Sequence, residues 1–300
     1  MGFKKMVKPP YPPRHWSIVG YPGSGKSTFA ARMNGSKLII DADHRFSEVM
    51  DLSADDVYAL SDTPSDNVDP DAINRVLLQN MPGARVDTII IDSLTSIITP
   101  YVVQALVDRD RKRSKNLISQ FQRKALAMRL LQDAVTRWGT DTLWIYHLQD
   151  ARDASANSIV RFSITQTEVV RLSRCINMQL QIVEKDGKRG IHVLWARRGR
   201  ADITLWDDSG SWEGMPGRLE EAVYGGLTHD EKERIERQTP RVFQTIHDAL
   251  TWAVNAGGFP SIEQARAVYD AIKADVRPET AQEMASHWVT EVRTRRSHRE

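Results

Sequence analysis

Short apolar runs alternate with amphipathic segments over the first half of the chain. The apolar runs, rich in β-branched and aromatic residues as buried strands are, cover residues 15–20, 37–41, 86–92 and 141–148. The amphipathic segments, with helical periodicity, cover residues 25–33, 71–81 and 116–138. Residues 47–71 are acidic and contain Pro64, which indicates short helices and loop. Strands that alternate with helices predict a parallel sheet with crossover helices.

The second half of the chain has a different pattern. Residues 177–184 alternate polar and apolar positions, Asp186-Gly187 is a hairpin signal, and residues 191–196 form another apolar run. Residues 203–215 predict a further short strand pair. Antiparallel strands therefore extend the parallel sheet. Helical periodicity returns in three segments, at residues 241–259, 261–276 and 279–296.

The predicted fold class is α/β, with a mainly parallel sheet, antiparallel additions and a small helical domain. We divide the chain into a Pro-rich lead-in (residues 1–13), a core (14–219) and a helical C-terminal domain with a basic tail (220–300). The composition of 41% hydrophobic and 27% charged residues is that of a globular protein. The single cysteine excludes an intrachain disulfide, and no apolar run is long enough to span a membrane. We expect no membrane association and a cytoplasmic location.

A phosphate-binding loop joins the first predicted strand to the first predicted helix. Gly20 to Ser27, GYPGSGKS, matches the pattern G-x-x-x-x-G-K-[ST] in the strand–loop–helix context that the motif requires. Backbone N–H groups of such a loop surround phosphate oxygens, the lysine reaches the β- and γ-phosphates, and the hydroxyl ligates Mg²⁺. A Gly-rich turn without a ligand is the alternative. The predicted nucleotide-binding residues are Gly20, Pro22, Gly23, Ser24, Gly25, Lys26, Ser27 and Thr28.

Asp92 ends the apolar run at residues 86–92, where a carboxylate can complete the Mg²⁺ site together with Ser27. Taken alone, an aspartate at a strand end is often only a helix cap. Together with the phosphate loop it predicts a nucleoside triphosphate and Mg²⁺ as cofactors. The chain lacks the Asn/Thr-Lys-x-Asp signature with which GTPases read their base, so ATP is favoured.

The order of these motifs resembles that of RecA-like recombinases. The loop is followed by strands ending IDADH, IIIDSLT and WIYHLQ and then by a hairpin-rich region, over roughly residues 14–215. The resemblance is nearest to the compact phage single-strand annealing proteins of the Sak group. It implies a RecA-like P-loop ATPase core. It also implies a homo-oligomer, as a ring or a filament, with single-stranded DNA and a single-strand-binding protein as partners, in the host cytoplasm if a phage encodes the chain.

Three catalytic residues besides Lys26 follow from this resemblance. Asp43 falls on the carboxylate that polarises the attacking water, where the family usually has Glu. His147 falls on the γ-phosphate sensor, where bacterial RecA has Gln; a structural histidine is the alternative. Arg198, within the Arg197, Arg198 and Arg200 cluster, falls where the family places basic residues that reach a neighbour's γ-phosphate. A plain surface cluster is the alternative here.

Two segments are candidates for DNA contact, and the resemblance places DNA-contacting loops in both. Residues 108–116 are strongly basic, and Arg123, Lys124 and Arg129 continue that charge along the next helix. Residues 149–165 are small, polar and expected to be a mobile loop. The alternatives are a solvated basic face and an ordinary long connection. The predicted DNA-binding residues are Arg109, Arg111, Lys112, Arg113, Lys115, Arg152, Arg161 and Phe162, the last by stacking on a base.

The sequence therefore favours a Mg²⁺-dependent, DNA-dependent ATPase that binds single-stranded DNA and promotes annealing or strand exchange in phage recombination. A hexameric DNA helicase or translocase with the same core is one alternative. A RecA-fold ATPase that acts on a protein partner without DNA is another. A small-molecule kinase is a weaker third, since the sequence has no obvious lid or acceptor site.

Overall fold

The computed structural model describes residues 9–110, 118–152, 158–238, 243, 245–276 and 281–297. Its strands are β1 (His15–Gly20), β2 (Lys37–Asp41), β3 (Val57–Ala59), β4 (Thr88–Asp92), β5 (Asp141–Arg152), β6 (Ser158–Phe162), β7 (Met178–Lys185), β8 (Lys188–Ala196) and β9 (Ile203–Trp206). Its α-helices are α1 (Lys26–Ala31), α2 (Pro70–Asn80), α3 (Leu94–Asp110), α4 (Ile118–Thr136), α5 (Gln166–Leu172), α6 (Met215–Tyr224), α7 (His229–Gln238), α8 (Ile246–Asn255), α9 (Ile262–Val276) and α10 (Ala281–Ser297). Short 3₁₀ helices lie at Phe46–Glu48, Met50–Leu52, Pro64–Asn67 and Met81–Gly83.

The strands form one sheet in the order β3-β2-β4-β5-β1-β7-β8-β9, and β6 pairs with the far end of β5. All pairs from β3 to β7 are parallel, whereas β8 and β9 add antiparallel strands at one side. This confirms the predicted α/β fold class, with a mainly parallel sheet extended by antiparallel strands.

Both faces of the sheet are covered, which explains why its central strands are almost continuously apolar. Alternate residues of β4 point to opposite faces: Ile89 and Ile91 pack towards α2, α3 and α4, and Ile90 packs towards α1 and α6. The core is thus two apolar layers separated by the sheet. Helix α6 passes through position 219, and its buried Leu219 and Val223 belong to the second layer. The division of the chain at that position stays a prediction.

A separate apolar cluster lies in the C-terminal helices α8, α9 and α10. Trp288 is fully buried there, stacks on Phe259 with ring centroids 5.3 Å apart and meets the edge of Tyr269. Its indole N–H donates to the carbonyl oxygen of Ala249 at 3.0 Å. Among the described residues no helix is long and apolar enough to cross a membrane.

Three elements differ from the sequence predictions. The sequence predicts a mobile loop at residues 149–165, but β5 runs on to Arg152 and pairs antiparallel with β6. Residues 153–157 of this segment lie outside the described residues. Residues 203–215 contain one strand, β9, instead of the predicted pair, because the Asp207 carboxylate accepts the N–H groups of Ser209 and Trp212 and turns the chain. Helix α3 was not predicted, because its apolar residues surround the helix instead of lining one face.

Candidate functional site

Parallel pairing brings the ends of β1, β2, β4 and β5 to one edge of the sheet. Gly20 at the end of β1 lies beside His147 of β5, and Asp41 at the end of β2 lies beside Asp92 of β4. Motifs that are more than a hundred residues apart in sequence therefore meet. Ligands of open α/β sheets bind outside the carboxyl ends of the strands, so this edge is the expected position of a binding site.

The phosphate loop has the left-handed backbone that only glycine adopts readily. Gly23 and Gly25 have φ of 77° and 96°, and α1 begins directly at Lys26. The Lys26 ammonium is buried and donates to the carbonyl oxygens of Gly20 and Tyr21 at 3.0 and 2.7 Å. Burial lowers the pKa of Lys26 to about 8, although the carboxylates of Asp92 and Asp43 oppose the shift. The lysine is thus a cation held by backbone carbonyls that a phosphate group can replace.

Ser27 and Asp92 form the candidate Mg²⁺ site. The Ser27 hydroxyl donates to Asp92 Oδ2 at 2.6 Å, and Asp92 is only 4% exposed. Burial raises the pKa of Asp92 to about 6; the Ser27 hydrogen bond opposes this, and the nearby Asp43 charge adds to it. A hydroxyl and a carboxylate are the hard oxygen donors that Mg²⁺ takes from protein while phosphates and water supply the rest. Within the described ranges there is no group of three or more His, Cys, Asp or Glu that could hold a metal alone. The residues fit Mg²⁺ bound together with a nucleotide.

The raised pKa of Asp92 predicts that Asp92→Asn stabilises the empty protein. At pH 7.5 the buried carboxylate is charged, which lowers the free energy of unfolding. A pKa shift from 3.8 to about 6 corresponds to a loss of about 2–3 kcal/mol. We expect urea unfolding at pH 7.5 to show a gain of about 2 kcal/mol. The gain should shrink as the pH falls from 6 towards 4 and disappear below the ordinary pKa of 3.8, where Asp92 is protonated in both states.

Asp207→Asn is the matched control with the opposite sign. Burial raises the pKa of Asp207, but hydrogen bonds from Ser209 and Trp212 outweigh burial and lower it. This variant should therefore be less stable than the wild type at pH 7.5. An Asp92→Asn protein that is less stable than the wild type at that pH would contradict the electrostatic account of Asp92.

The two aspartates at the end of β2 have different surroundings. Asp41 accepts the backbone N–H groups of Arg45 and Phe46 at 3.1 and 3.0 Å, so it holds a turn. Asp43 lines the cavity, its N–H donates to the carbonyl oxygen of Asp92 at 3.2 Å, and its Oδ1 accepts the hydroxyl of Ser96. Asp43 therefore faces the cavity, whereas Asp41 stabilises the turn that follows β2.

His147 is held between the cavity and the hairpin. Its Nδ1 lies 3.3 Å from the Thr95 hydroxyl, which is 2.7 Å from the Ser163 hydroxyl beyond β6. The backbone N–H of His147 donates to Ser163 Oγ at 3.1 Å. Burial and the Lys26 charge lower the pKa of His147, so the ring is neutral at pH 7. A change at His147 can therefore reach β6 through two hydroxyl groups.

These side chains surround one cavity of about 220 Å³. Its lining includes most of the phosphate loop together with Asp43, Asp92 and His147. Arg45, Glu48 and Val49 also line it, and no sequence motif indicates these three. The only sequence signal for these three was their position directly after IDADH. All the predicted nucleotide and metal positions line this cavity except Gly20 and Ser24, which belong to the loop but not to the lining. Of the predicted catalytic residues, Arg198 is the one that does not line it.

Arg189 and Trp212 support the phosphate loop by hydrogen bonds to its backbone, and no sequence motif indicates either residue. The Trp212 indole N–H donates to the carbonyl oxygen of Gly25 at 2.9 Å, and Arg189 Nη1 donates to that of Ser24 at 3.3 Å. The Arg189 guanidinium lies 5.2 Å from the Trp212 ring centroid. More than 160 residues separate these side chains from the loop, so only the folded topology reveals the contact.

Arg198 lies at the opposite edge of the sheet from the phosphate loop. Strand β8 is antiparallel to β7, and its last residue, Ala196, pairs with Met178 beside Trp16, near the start of β1. Arg198 is exposed just beyond this point and does not join the site of its own chain. Its action on a neighbour's nucleotide stays a prediction.

The predicted DNA contacts are only partly described. Arg111, Lys112, Arg113 and Lys115 lie outside the described residues; of Arg109 and Arg152 only the backbone is described, at the ends of α3 and β5. Arg161 is exposed on β6. Phe162 is half-buried, and its ring packs edge-on against the buried Tyr146 with centroids 5.6 Å apart, so its stacking on a base stays a prediction.

Lys124 does not extend the exposed basic charge that the sequence predicts along α4. Its ammonium is buried and lies 2.7 Å from Glu168 Oε1 of α5, so this charge is neutralised inside the protein. Arg123 and Arg129 are exposed, and Arg129 lies 3.9 Å from Asp133. The basic face of α4 is therefore narrower than the sequence indicates.

A protein family described as an AAA domain, AAA_24, matches residues 13–183. The solved structure of the RadB recombinase is similar at 15% identity, with 65% of this chain and 87% of that chain covered and a TM-score of 0.35. The flagellar accessory protein FlaH from Methanocaldococcus jannaschii is similar at 13% identity, with coverages of 65% and 85% and a TM-score of 0.33. A type III secretion ATPase of pathogenic bacteria is similar at 10% identity, with coverages of 94% and 80% and a TM-score of 0.35. No curated protein matches the chain.

Proposed function

This chain belongs to the AAA domain family, and on that premise we propose that it binds ATP with Mg²⁺ and hydrolyses it. One observation carries the proposal: Lys26, the Ser27–Asp92 pair and Asp43 converge on one cavity at the carboxyl edge of a parallel sheet. A phosphate cradle alone needs no second carboxylate. Asp43 supplies a group that can act on water, so the site favours hydrolysis over binding alone.

The mechanism follows from the surroundings of each group. The loop N–H groups and Lys26 hold the phosphates, and the ammonium exchanges the carbonyls of Gly20 and Tyr21 for phosphate oxygens, which are stronger acceptors. Mg²⁺, when bound, neutralises charge on the phosphate oxygens, and Ser27 and Asp92 would hold it. Ser96 fixes Oδ1 of Asp43, which leaves Oδ2 to orient a water molecule and accept its proton.

ATP turnover by the full chain tests this proposal. We expect release of ADP and phosphate with Mg²⁺ and none when the metal is removed with EDTA. Turnover that is unchanged by EDTA would contradict the assignment of Ser27 and Asp92.

We propose further that the ATPase binds single-stranded DNA, depends on it and promotes annealing or strand exchange in phage recombination. Two features support this. The basic segment at residues 108–116 begins at the end of α3, whose first turn contacts Asp43 through Ser96. The β5–β6 hairpin contacts the phosphate loop, where the Tyr21 hydroxyl donates to Asp150 Oδ1 at 2.8 Å. A nucleotide-dependent change at Asp43 or in the phosphate loop can therefore be transmitted to the basic segment and to the β5–β6 hairpin.

A homo-oligomer belongs to the same proposal. Because Arg198 is remote from the site of its own chain, it can act on ATP only in a neighbouring copy, within a ring or a filament. A single-strand-binding protein is a further proposed partner.

Arg161→Glu should weaken binding to a single-stranded oligonucleotide. The exposed side chain lies on the hairpin at the nucleotide edge, and reversing its charge replaces attraction to phosphate with repulsion. We expect a loss of about tenfold at low salt and a shallower salt dependence, measured by fluorescence anisotropy.

Arg137→Glu is the matched control. Arg137 is also exposed but lies just before β5 begins, at the opposite edge of the sheet. Its change should leave the affinity within about twofold of the wild type. Equal losses in both variants would show a general charge effect and contradict a role for the hairpin.

A further inference from the structure

Arg45 and Glu48 line the nucleotide cavity as an ion pair. Arg45 Nε and Nη2 donate to Glu48 Oε1 and Oε2 at 3.1 and 3.0 Å, and the side chains are 72% and 59% exposed. The pair is bidentate, yet both partners are well solvated. An exposed ion pair of this kind contributes little to stability, because solvent screens it and ordering two long side chains opposes it. The guanidinium is therefore free to exchange Glu48 for a better acceptor.

The backbone beneath Arg45 is fixed on both sides. The Asp41 carboxylate accepts the N–H groups of Arg45 and Phe46, and the Phe46 side chain is buried in the core at 3% exposure. The turn thus presents the Arg45 side chain at the cavity, and only its rotamers need to change for it to reach a ligand. This also explains Asp41, the aspartate of the pair that the cavity itself does not use.

The charges of the cavity call for a second cation. Asp43, Asp92 and Glu48 contribute carboxylates, and among the lining residues Lys26 and Arg45 are the cations, since His147 is neutral at pH 7. A triphosphate adds several negative charges to these carboxylates. Repulsion falls if the guanidinium moves from Glu48 to a phosphate oxygen, because a bidentate Arg–phosphate contact is among the strongest charge-assisted hydrogen bonds.

We propose that Arg45 is a phosphate-binding residue of its own chain's site, which Glu48 holds in the empty protein and releases when ATP binds. The proposal rests on the proposed ATP binding and adds Arg45 as a second cation, from the same chain, that binds the phosphates. Glu48 then competes with the nucleotide for one guanidinium, so the two side chains should affect ATP affinity in opposite directions.

Calorimetric titration with Mg²⁺–ATP tests this in wild type, Arg45→Gln, Glu48→Gln and the double variant. Arg45→Gln should bind ATP at least about tenfold more weakly, as expected for loss of a charged hydrogen bond. Glu48→Gln should bind it a few-fold more tightly. In the double variant, Glu48→Gln should add nothing, because the group it released is gone.

Arg129→Gln is the control, since Arg129 is another exposed arginine with a carboxylate partner, remote from the cavity. It should bind ATP as the wild type does. Thermal unfolding should be unchanged in Arg45→Gln, given its exposure. If Arg45→Gln binds ATP within twofold of the wild type, or Glu48→Gln weakens binding as Arg45→Gln does, the proposal is wrong. If the wild type itself binds no ATP, the proposed function fails as well, so the two failures are distinguishable.

Discussion

Asp43→Asn should lower ATP turnover by about 10²- to 10⁴-fold while ATP affinity stays within a few-fold of the wild type. Asparagine has nearly the same size and keeps an oxygen for the Ser96 hydroxyl, so the geometry should survive. It cannot accept a proton from water. Steady-state phosphate release and equilibrium ATP binding together separate these two effects.

Asp41→Asn is the matched control for this prediction. Asp41 lies two residues earlier, and its carboxylate binds backbone N–H groups of the turn. Its change should reduce turnover far less than Asp43→Asn. An Asp43→Asn protein that hydrolyses ATP at the wild-type rate would show that another group orients the water.

Lys26→Met should weaken ATP binding by about a hundredfold or more and make turnover undetectable. The variant removes the buried cation that faces the phosphates but keeps much of its volume. Two charged hydrogen bonds to phosphate are lost, which corresponds to about 3 kcal/mol or more. Titration with Mg²⁺–ATP measures the loss.

Unfolding experiments provide the control for Lys26→Met. Burial lowers the pKa of Lys26 to about 8, so below pH 8 the folded protein holds this proton unfavourably. The wild type should therefore gain stability as the pH rises from 8 to 10, and the variant should not. If the variant is unfolded at pH 7.5, instability explains its loss of binding. If it is folded and binds ATP as the wild type does, Lys26 does not bind the phosphates.

Much of the nucleotide edge could be predicted from sequence because local patterns determine it. The loop pattern between a strand and a helix, and aspartates at the ends of two apolar strands, are contiguous signals. Parallel pairing of buried strands then places Lys26, Asp43 and Asp92 at one edge without further information. The antiparallel extension was equally visible, since Asp186-Gly187 joins β7 to β8.

Other features depend on contacts that sequence patterns do not carry. The distant Trp212 and Arg189 reach the phosphate loop only because β8 and β9 extend the sheet beside β1. Whether Lys124 faces solvent depends on Glu168 of a separate helix. The small, polar residues of β5 and β6 near position 150 predict a loop, because the strand pairing there comes from backbone hydrogen bonds and not from a side-chain pattern.

The rate of ATP hydrolysis with and without single-stranded DNA, in wild type and Lys26→Met, tests the central claim most directly. We predict Mg²⁺-dependent hydrolysis by the wild type that rises severalfold with the oligonucleotide, and no hydrolysis by the variant under either condition. An ATPase that acts on a protein partner predicts hydrolysis without stimulation or salt-sensitive DNA binding, and a helicase predicts processive unwinding of a duplex. A wild type that neither hydrolyses ATP nor binds the oligonucleotide at low salt would contradict the account.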